Sequence, residues 1–419
     1  MRALMLLVLV SLTASAQTPD PRGRFQRTNS RCSQGRSDRG LSCDDLAFFE
    51  FAPASGAGMG TACACAAITG AKGETMTFTR AGNATCSPLG LATTGIANAS
   101  LVECGANAPR VEDSGGVLGL RVESTRANVL TRFIDYANAA WADVGTPTLT
   151  GAQVSPWTGA FANLAVQFDD NDAVAFEGRT QTVTVTAATQ YTQCCLAKAG
   201  TLSSWTLSLD GTTASGTGLS STTWSLVSVT DASSSGVAIA AQALNGSTTA
   251  GTGTVIWGGC QVEAGAYCTS MVPTTATGAT RNIESPSFTT ASAVGPSASI
   301  AASVQWPSTA VGAVNFLALG NAGDNMTLYR TNDTSAGYLI NATTTAPAVA
   351  SMGSTVHRAA LADASGTRSA FWDLGSVAAP AASMAGGVST VWIGRNVAGA
   401  NADGIVTRVC VDPDPSRCR

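Results

Sequence analysis

The feature that most constrains this chain is a hydrophobic period of two. In "TVTVT", Val183 and Val185 fall on one face with threonines between them, and in "SWTLSLD" Trp205, Leu207 and Leu209 do the same. Alternate side chains on a strand point to opposite faces, so such segments have one face for a core and one for water. Similar runs of five to eight residues follow one another between Gly, Ser and Asp turns, the pattern of an antiparallel sandwich. No stretch has a convincing helical period. Composition agrees: charged residues are 12% of the chain, against about 25% in an average soluble protein, and Gly, Ala, Ser and Thr fill the gap. Gly, Ser and Thr are poor helix formers, while 45% hydrophobic residues argue for a packed core rather than disorder.

At 419 residues the chain has room for two or three domains. One set of strands runs from Leu118 to "GTVIWGGCQVE", and a Thr-rich tail, "TSMVPTTATGATR", leads away from it. A second set starts at about Pro286, with hairpins in "MTLYRTNDTSAGYLI" and "HRAALADASGTRSAFWDLGSV". The expected fold is all-β, with two antiparallel β-sandwiches in series, at 118–281 and 282–419, behind a Cys-rich region at 17–117. No fixed-period repeat appears, which argues against a β-solenoid.

The start, "MRALMLLVLVSLTASA", has the layout of a secretory signal cleaved after Ala16. Its apolar run is too short to span a bilayer, and no later stretch qualifies, so the expectation is a secreted protein, cell-surface or periplasmic locations included. The Arg-rich leader that follows, from Arg22 to Arg39, reads as a solvated arm or as one drawn to an anionic surface. A net charge of −4 gives no reason to invoke nucleic acid. An even count of 12 cysteines in an exported chain reads as disulfides. Zinc would want Cys-x-x-Cys pairs or nearby histidines, and the chain has neither. Cys410 and Cys418 flank a Pro-containing loop and are expected to pair; Cys86 with Cys104 is expected by proximity. Cys194 and Cys195 point to opposite faces of a strand, so each needs a different partner.

Candidate chemistry is sparse. A Ser-His-Asp arrangement needs a histidine, and His357 is the only one; with no nucleophile nearby it reads as structural. The paired carboxylates of glycosidases have no counterpart along any one strand. The protein is therefore expected not to be an enzyme. In "FDDNDAV", Asp169, Asp170 and Asp172 are candidate calcium ligands, calcium being an oxygen-seeking cation, and a solvated turn is the other reading. Sugar sites on sandwich folds use aromatic faces. Among the 8 tryptophans, Trp141 and Trp157 sit beside loop signals and are the candidate glycan-binding residues, whereas Trp205, Trp257 and Trp392 read as core.

Three stretches together carry a resemblance. "MTFTRAGNATC" with "GANAPRVEDSGGVLGLRVESTRANVL" resembles the segment leading into a β-sandwich module of phage tail fibres and related secreted bacterial proteins. "NAAWADVG" and "WGGCQVEAGAYCTSMVPTTATGATR" resemble the start and end of that module, a carbohydrate-binding jelly roll. Ala298 to Val411 is similar to the concanavalin A-like, laminin-G-like sandwich. The matching positions are Arg80, Arg110, Glu123, Arg126, Asn128, Trp141, Trp257, Gln261, Glu263, Gly265, Thr269, Pro273 and Arg281. The resemblance implies Cys260 and Cys268 as partners for Cys194 and Cys195, and an acid at the domain junction for Arg281, with solvent exposure as the alternative. The cysteines and export signal depart from phage fibres and favour a cellular secreted or surface protein. The implied function is non-catalytic, lectin-like binding of cell-surface or matrix glycans, by a protein that an oligomer would also suit. A structural surface or appendage protein is the alternative, and a divergent glycoside hydrolase or lyase a further one.

Overall fold

A computed structural model describes residues 47–50, 63–65, 75–87, 94–113, 118–246, 252–294 and 297–305, and between 314 and 412 the strands named below with residues 373, 379–380, 394 and 403. The segment expected to be an export signal and the Arg-rich leader lie outside the described residues. Every strand pair is antiparallel, and a short 3-10 turn at Gly159–Phe161 is the helical segment among the described residues. The all-β, two-sandwich reading holds.

The sandwich that closes the chain has two sheets. In one, the order is Cys63–Ala64, Arg110–Asp113, Leu118–Val122, Gly404–Asp412, Ser297–Gln305, His357–Ala364, Thr367–Trp372 and Gly375–Val377, with Ala47–Glu50 also paired to Gly404–Asp412. In the other it is Thr343–Thr345, Ser335–Ile340, Asn325–Asn332, Val314–Gly320, Val388–Ile393, Ser285–Val294 and Thr77–Thr79. Phe78, Val111, Leu120 and Val122 from early in the chain share one core with Phe288, Ile300, Leu317, Leu361 and Val409.

The other sandwich is built mostly from residues between these parts in sequence, with Thr94–Ile96 added from earlier in the chain. One sheet runs Thr148–Gln153, Ala165–Asp170, Gly253–Ala264, Tyr191–Ala199, Trp224–Asp231 and Thr94–Ile96; the other runs Ala142–Val144, Gly178–Thr184, Ala238–Asn245, Trp205–Leu209 and Thr212–Gly216. Val183, Val185, Leu207 and Leu209 meet in its core with Trp257, Phe168 and Tyr136, as the alternation requires. The pair Gly258-Gly259 forms a bulge in the closing strand, where the register jumps from Cys195↔Cys260 to Ala197↔Trp257. Gly259 has φ +121°, and a Cβ there would meet the Phe133 ring at 2.9 Å, so glycine is required.

The sandwiches are therefore not in series. Leu118–Val122 pairs with Gly404–Asp412, 282 residues on at the closest register (404 − 122 = 282). The strand expected to open the first module belongs to the second, and the jelly-roll-like sandwich is inserted into it. The Cys-rich region, set apart from both sandwiches by sequence, supplies Phe78 and Val111 to the core of one. Local alternation says that a segment is a strand and says nothing of which sheet accepts it.

The disulfides divide likewise. Cys194 bonds Cys268 and Cys195 bonds Cys260. Cys104 bonds Cys65, not Cys86. The strands Ala84–Cys86 and Val102–Cys104 are paired, but the register sets Cys104 opposite Ala84 and Cys86 opposite Val102, so proximity in sequence misled. Cys86 and Cys410 are themselves disulfide-bonded; Cys418 lies outside the described residues.

Candidate functional site

The expected glycan-binding tryptophans are not at the surface. Trp141 and Trp157 are each 1% exposed. Trp141 Nε1 donates to the Arg132 carbonyl at 2.9 Å, and Trp157 Nε1 donates to the Gly258 carbonyl at 2.8 Å. The loop signals beside them mark where the backbone turns, and both rings turn inward with their N–H satisfied. Trp257 is core as expected, and Trp205 is partly buried against the same core cluster.

The acidic run is a self-capped turn. Asp169 and Asp170 end the strand Ala165–Asp170, so their side chains leave on opposite faces. Asp170 accepts from the N–H groups of Asp172 (3.1 Å) and Glu177 (3.3 Å), and Asp172 accepts from Val174 N–H at 2.7 Å. Among the described residues no group of three or more His, Cys, Asp or Glu side chains could hold a metal ion. His357 opens its strand, with Nδ1 2.7 Å from Asp373 Oδ2 and its ring stacked on Trp372 at 5.3 Å.

The densest charge lies between the sandwiches. Glu123 follows Leu118–Val122, and the chain enters the inserted sandwich through Arg126–Asn128, which pairs with the returning Ala279–Arg281 as a two-stranded ribbon. Cys268 ties Thr269 and Ser270 to the strand Tyr191–Ala199 beside this ribbon. Arg110 Nη2 contacts Glu123 Oε2 at 2.8 Å and Glu284 Oε1 at 2.7 Å, all of them buried. Arg80 adds a bond to Glu284 at 2.7 Å, and Arg281 one to Glu123 at 3.0 Å. Arg121 reaches Glu123 at 2.6 Å and Glu112 at 3.6 Å; Arg126 reaches Asp403 at 3.3 Å and Glu263 at 3.8 Å. Five guanidinium groups thus face five carboxyl groups, and the charges balance once Glu112 and Glu263 are ionised. Burial alone would raise the Glu123 carboxyl, but Arg121, Arg281 and Arg110, with Ser270, hold it well below its usual range. Burial wins at Glu112 and Glu263, each pushed up to about 7 against the pull of its arginines. Most of the positions that carried the family resemblance meet here, and Arg281 does pair with an acid at the junction. The signal was legible only as scattered Arg and Glu in an otherwise charge-poor chain.

An open groove of about 580 Å³ lies among the described residues. One wall is the strand Gly178–Thr184. The short strand Ala142–Val144 covers only its first residues, ending at the pair Ala142↔Thr180, so Gln181 to Thr184 form a bare sheet edge beside Ala140. The Ala240 carbonyl accepts from Asp210 N–H on its far side. In an antiparallel ladder, its partner Thr182 then turns its own N–H and C=O away from Ala240, toward the groove. The other wall is the junction ribbon, Ala127 to Val129 and Gly278 to Thr280, with Thr131. Gln181 pins that side, since Oε1 accepts from Thr131 N–H at 2.7 Å and Nε2 donates to the Thr131 carbonyl at 2.9 Å. Thr182, Thr184 and Thr280 are exposed, and no charged side chain lines the groove. Sequence reading missed this site because it sought aromatics and acids, and threonines are everywhere in the chain.

No family model matches the sequence, and no curated protein does. Several solved structures share likeness of fold. The CBM40 of Ruminococcus gnavus IT-sialidase, bound to α2,3 sialyllactose, is 22% identical with a TM-score of 0.24, over 28% of this chain and 76% of that one. The CBM22-1–CBM22-2 tandem of Paenibacillus barcinonensis Xyn10C is 10% identical with a TM-score of 0.26, over 70% of this chain and 99% of that one. Domains LG4-5 of the mouse laminin α1 chain are 10% identical with a TM-score of 0.23, over 64% of this chain and 92% of that one.

Proposed function

We propose that this is a secreted, non-catalytic glycan-binding protein that holds saccharide in the groove between the bare edge Gln181–Thr184 and the junction ribbon. The observation that carries the reading is the groove itself. It is open, of the size that small ligands occupy, and lined by threonine hydroxyls that can both donate and accept. Sugar hydroxyls make the same two demands. Glu123 and Glu284, two carboxylates brought together on Arg110, are buried and committed to it, which supports a structural rather than a catalytic role for that pair. The disulfides support an oxidising, extracytoplasmic location, and among the described residues no helix is long and apolar enough to cross a membrane. A glycan array probed with the disulfide-intact protein tests the reading, with Thr182→Trp as a groove-blocked control. Binding lost in the control supports it; no binding to any glycan sinks it.

The second reading is a structural surface or appendage protein with no ligand of its own. The ion-paired junction favours it, since it joins the two sandwiches through buried contacts where the chain passes Glu123 and Arg281.

A further inference from the structure

We propose that the groove selects neutral saccharides over anionic ones, because no charged side chain lines it and the arginines next to its lining residues are each paired with an acid. This rests on the glycan-binding reading above and specifies its ligand. Three lining residues, Ala127, Thr280 and Thr131, have an arginine as chain neighbour: Arg126, Arg281 and Arg132. Arg126 reaches out of the groove to Asp403 at 3.3 Å, and Arg281 is fully buried against Glu123 at 3.0 Å and the Ser270 hydroxyl at 2.8 Å. Arg132 pairs with Asp135 at 3.9 Å. Within the groove, the polar groups offered are the hydroxyls of Thr182, Thr184 and Thr280 and the main chain at Thr182; the Thr131 hydroxyl already donates to Gln181 Oε1 at 3.3 Å, and the Gln181 amide is engaged by the Thr131 main chain. Hydroxyl and amide groups can replace the water bonds of a sugar hydroxyl one for one. They replace the hydration of a carboxylate less completely, and taking that charge into a partly enclosed site with no cation to meet it costs affinity. Thr182 and Thr184 lie on one strand face at a two-residue spacing, about 7 Å apart along the strand, so both can serve one bound sugar unit or two adjoining ones.

Titration calorimetry on the full disulfide-intact protein tests this with lactose, cellobiose and mannobiose against sialyllactose and digalacturonic acid. The expected result is that at least one neutral disaccharide binds about tenfold or more tighter than either acidic one, the scale of one uncompensated charge. Thr182→Trp should abolish that binding, and Thr184→Lys, which puts a cation on the exposed wall, should bring the acidic sugars level with or ahead of the neutral ones. An acidic sugar binding the unmodified groove as tightly as the neutral ones overturns the inference. In that case loss of binding in Thr182→Trp leaves the glycan reading standing, and loss in Arg132→Ala shows which cation had swung in. Neutral binding that survives Thr182→Trp also overturns the inference, by placing the site elsewhere. If no sugar of either class binds, the glycan reading falls and takes this inference with it.

Discussion

Arg110 is where the two sandwiches should be easiest to uncouple. Its guanidinium bonds two carboxylates, at 2.8 Å to Glu123 and 2.7 Å to Glu284, and Nη1 donates to the Thr85 carbonyl and the Ser270 hydroxyl, both at 2.7 Å. Arg110→Met keeps much of the stem's volume and removes every one of these bonds. Breaking a buried ion pair from one side costs about 3–5 kcal/mol, chiefly because the remaining charge loses its compensation. Here the stranded carboxylates keep other partners: Glu284 retains Arg80 at 2.7 Å, and Glu123 retains Arg121 at 2.6 Å and Arg281 at 3.0 Å. That pulls the loss toward the lower figure, about 3 kcal/mol, a large part of the roughly 5–15 kcal/mol that holds a domain folded. The assay is urea unfolding followed by circular dichroism, with hydrogen exchange read separately on Leu118–Val122 and Tyr191–Ala199. The variant should show a lower midpoint, with early exchange in the strands joined to Arg110. Adding Glu123→Gln to the variant should cost less than the sum of the two single changes, by roughly 0.5–3 kcal/mol, since they share one network. A loss below about 1 kcal/mol, the scale of an exposed pair, would refute the claim that the junction is a buried, coupled unit.

Other expectations follow from the same geometry. Glu112 and Glu263, pushed up to about 7 by burial, stabilise the fold fully below their unfolded value near 4.5 and lose that contribution as pH rises through about 7; the urea midpoint should therefore be higher at pH 5 than at pH 8. Glu112→Gln should flatten that dependence, and a midpoint rising steadily from pH 5 to pH 8 would contradict the assignment. Cys195→Ala with Cys260→Ala opens a link across a sequence separation of 65 residues, but Cys194–Cys268 still closes nearly the same loop and leaves a path of about ten residues, so the change should cost about 3 kcal/mol by the chain-entropy model, seen as a fall in denaturation midpoint that full reduction of the native protein should exceed. Trp141→Ala should destabilise by about 3–5 kcal/mol as a core truncation while leaving sugar affinity of the folded fraction unchanged; weakened binding at full stability would restore Trp141 to the surface role.

The alternation in "TVTVT" and "SWTLSLD" was enough to place Val183, Val185, Leu207 and Leu209 in a sandwich core, because a period of two depends only on neighbouring residues. The even cysteine count and the adjacent, opposed Cys194 and Cys195 were legible for the same reason, and the resemblance pointed to Cys260 and Cys268. Strand partnership was not legible. Leu118–Val122 reads locally like the strands after it, yet its hydrogen bonds go to Gly404–Asp412, and only a folded chain reveals that one sandwich is inserted into the other. Side-chain direction at loops escaped too: Trp141 and Trp157 stand beside turn residues, and tertiary packing decided that both rings go inward. The arginines and glutamates of the junction are dispersed from Arg80 to Asp403, so their charge balance exists only in three dimensions. The groove is the extreme case. Its threonines differ in no local way from dozens of others, and what sets them apart is that Ala142–Val144 stops short and leaves a sheet edge bare.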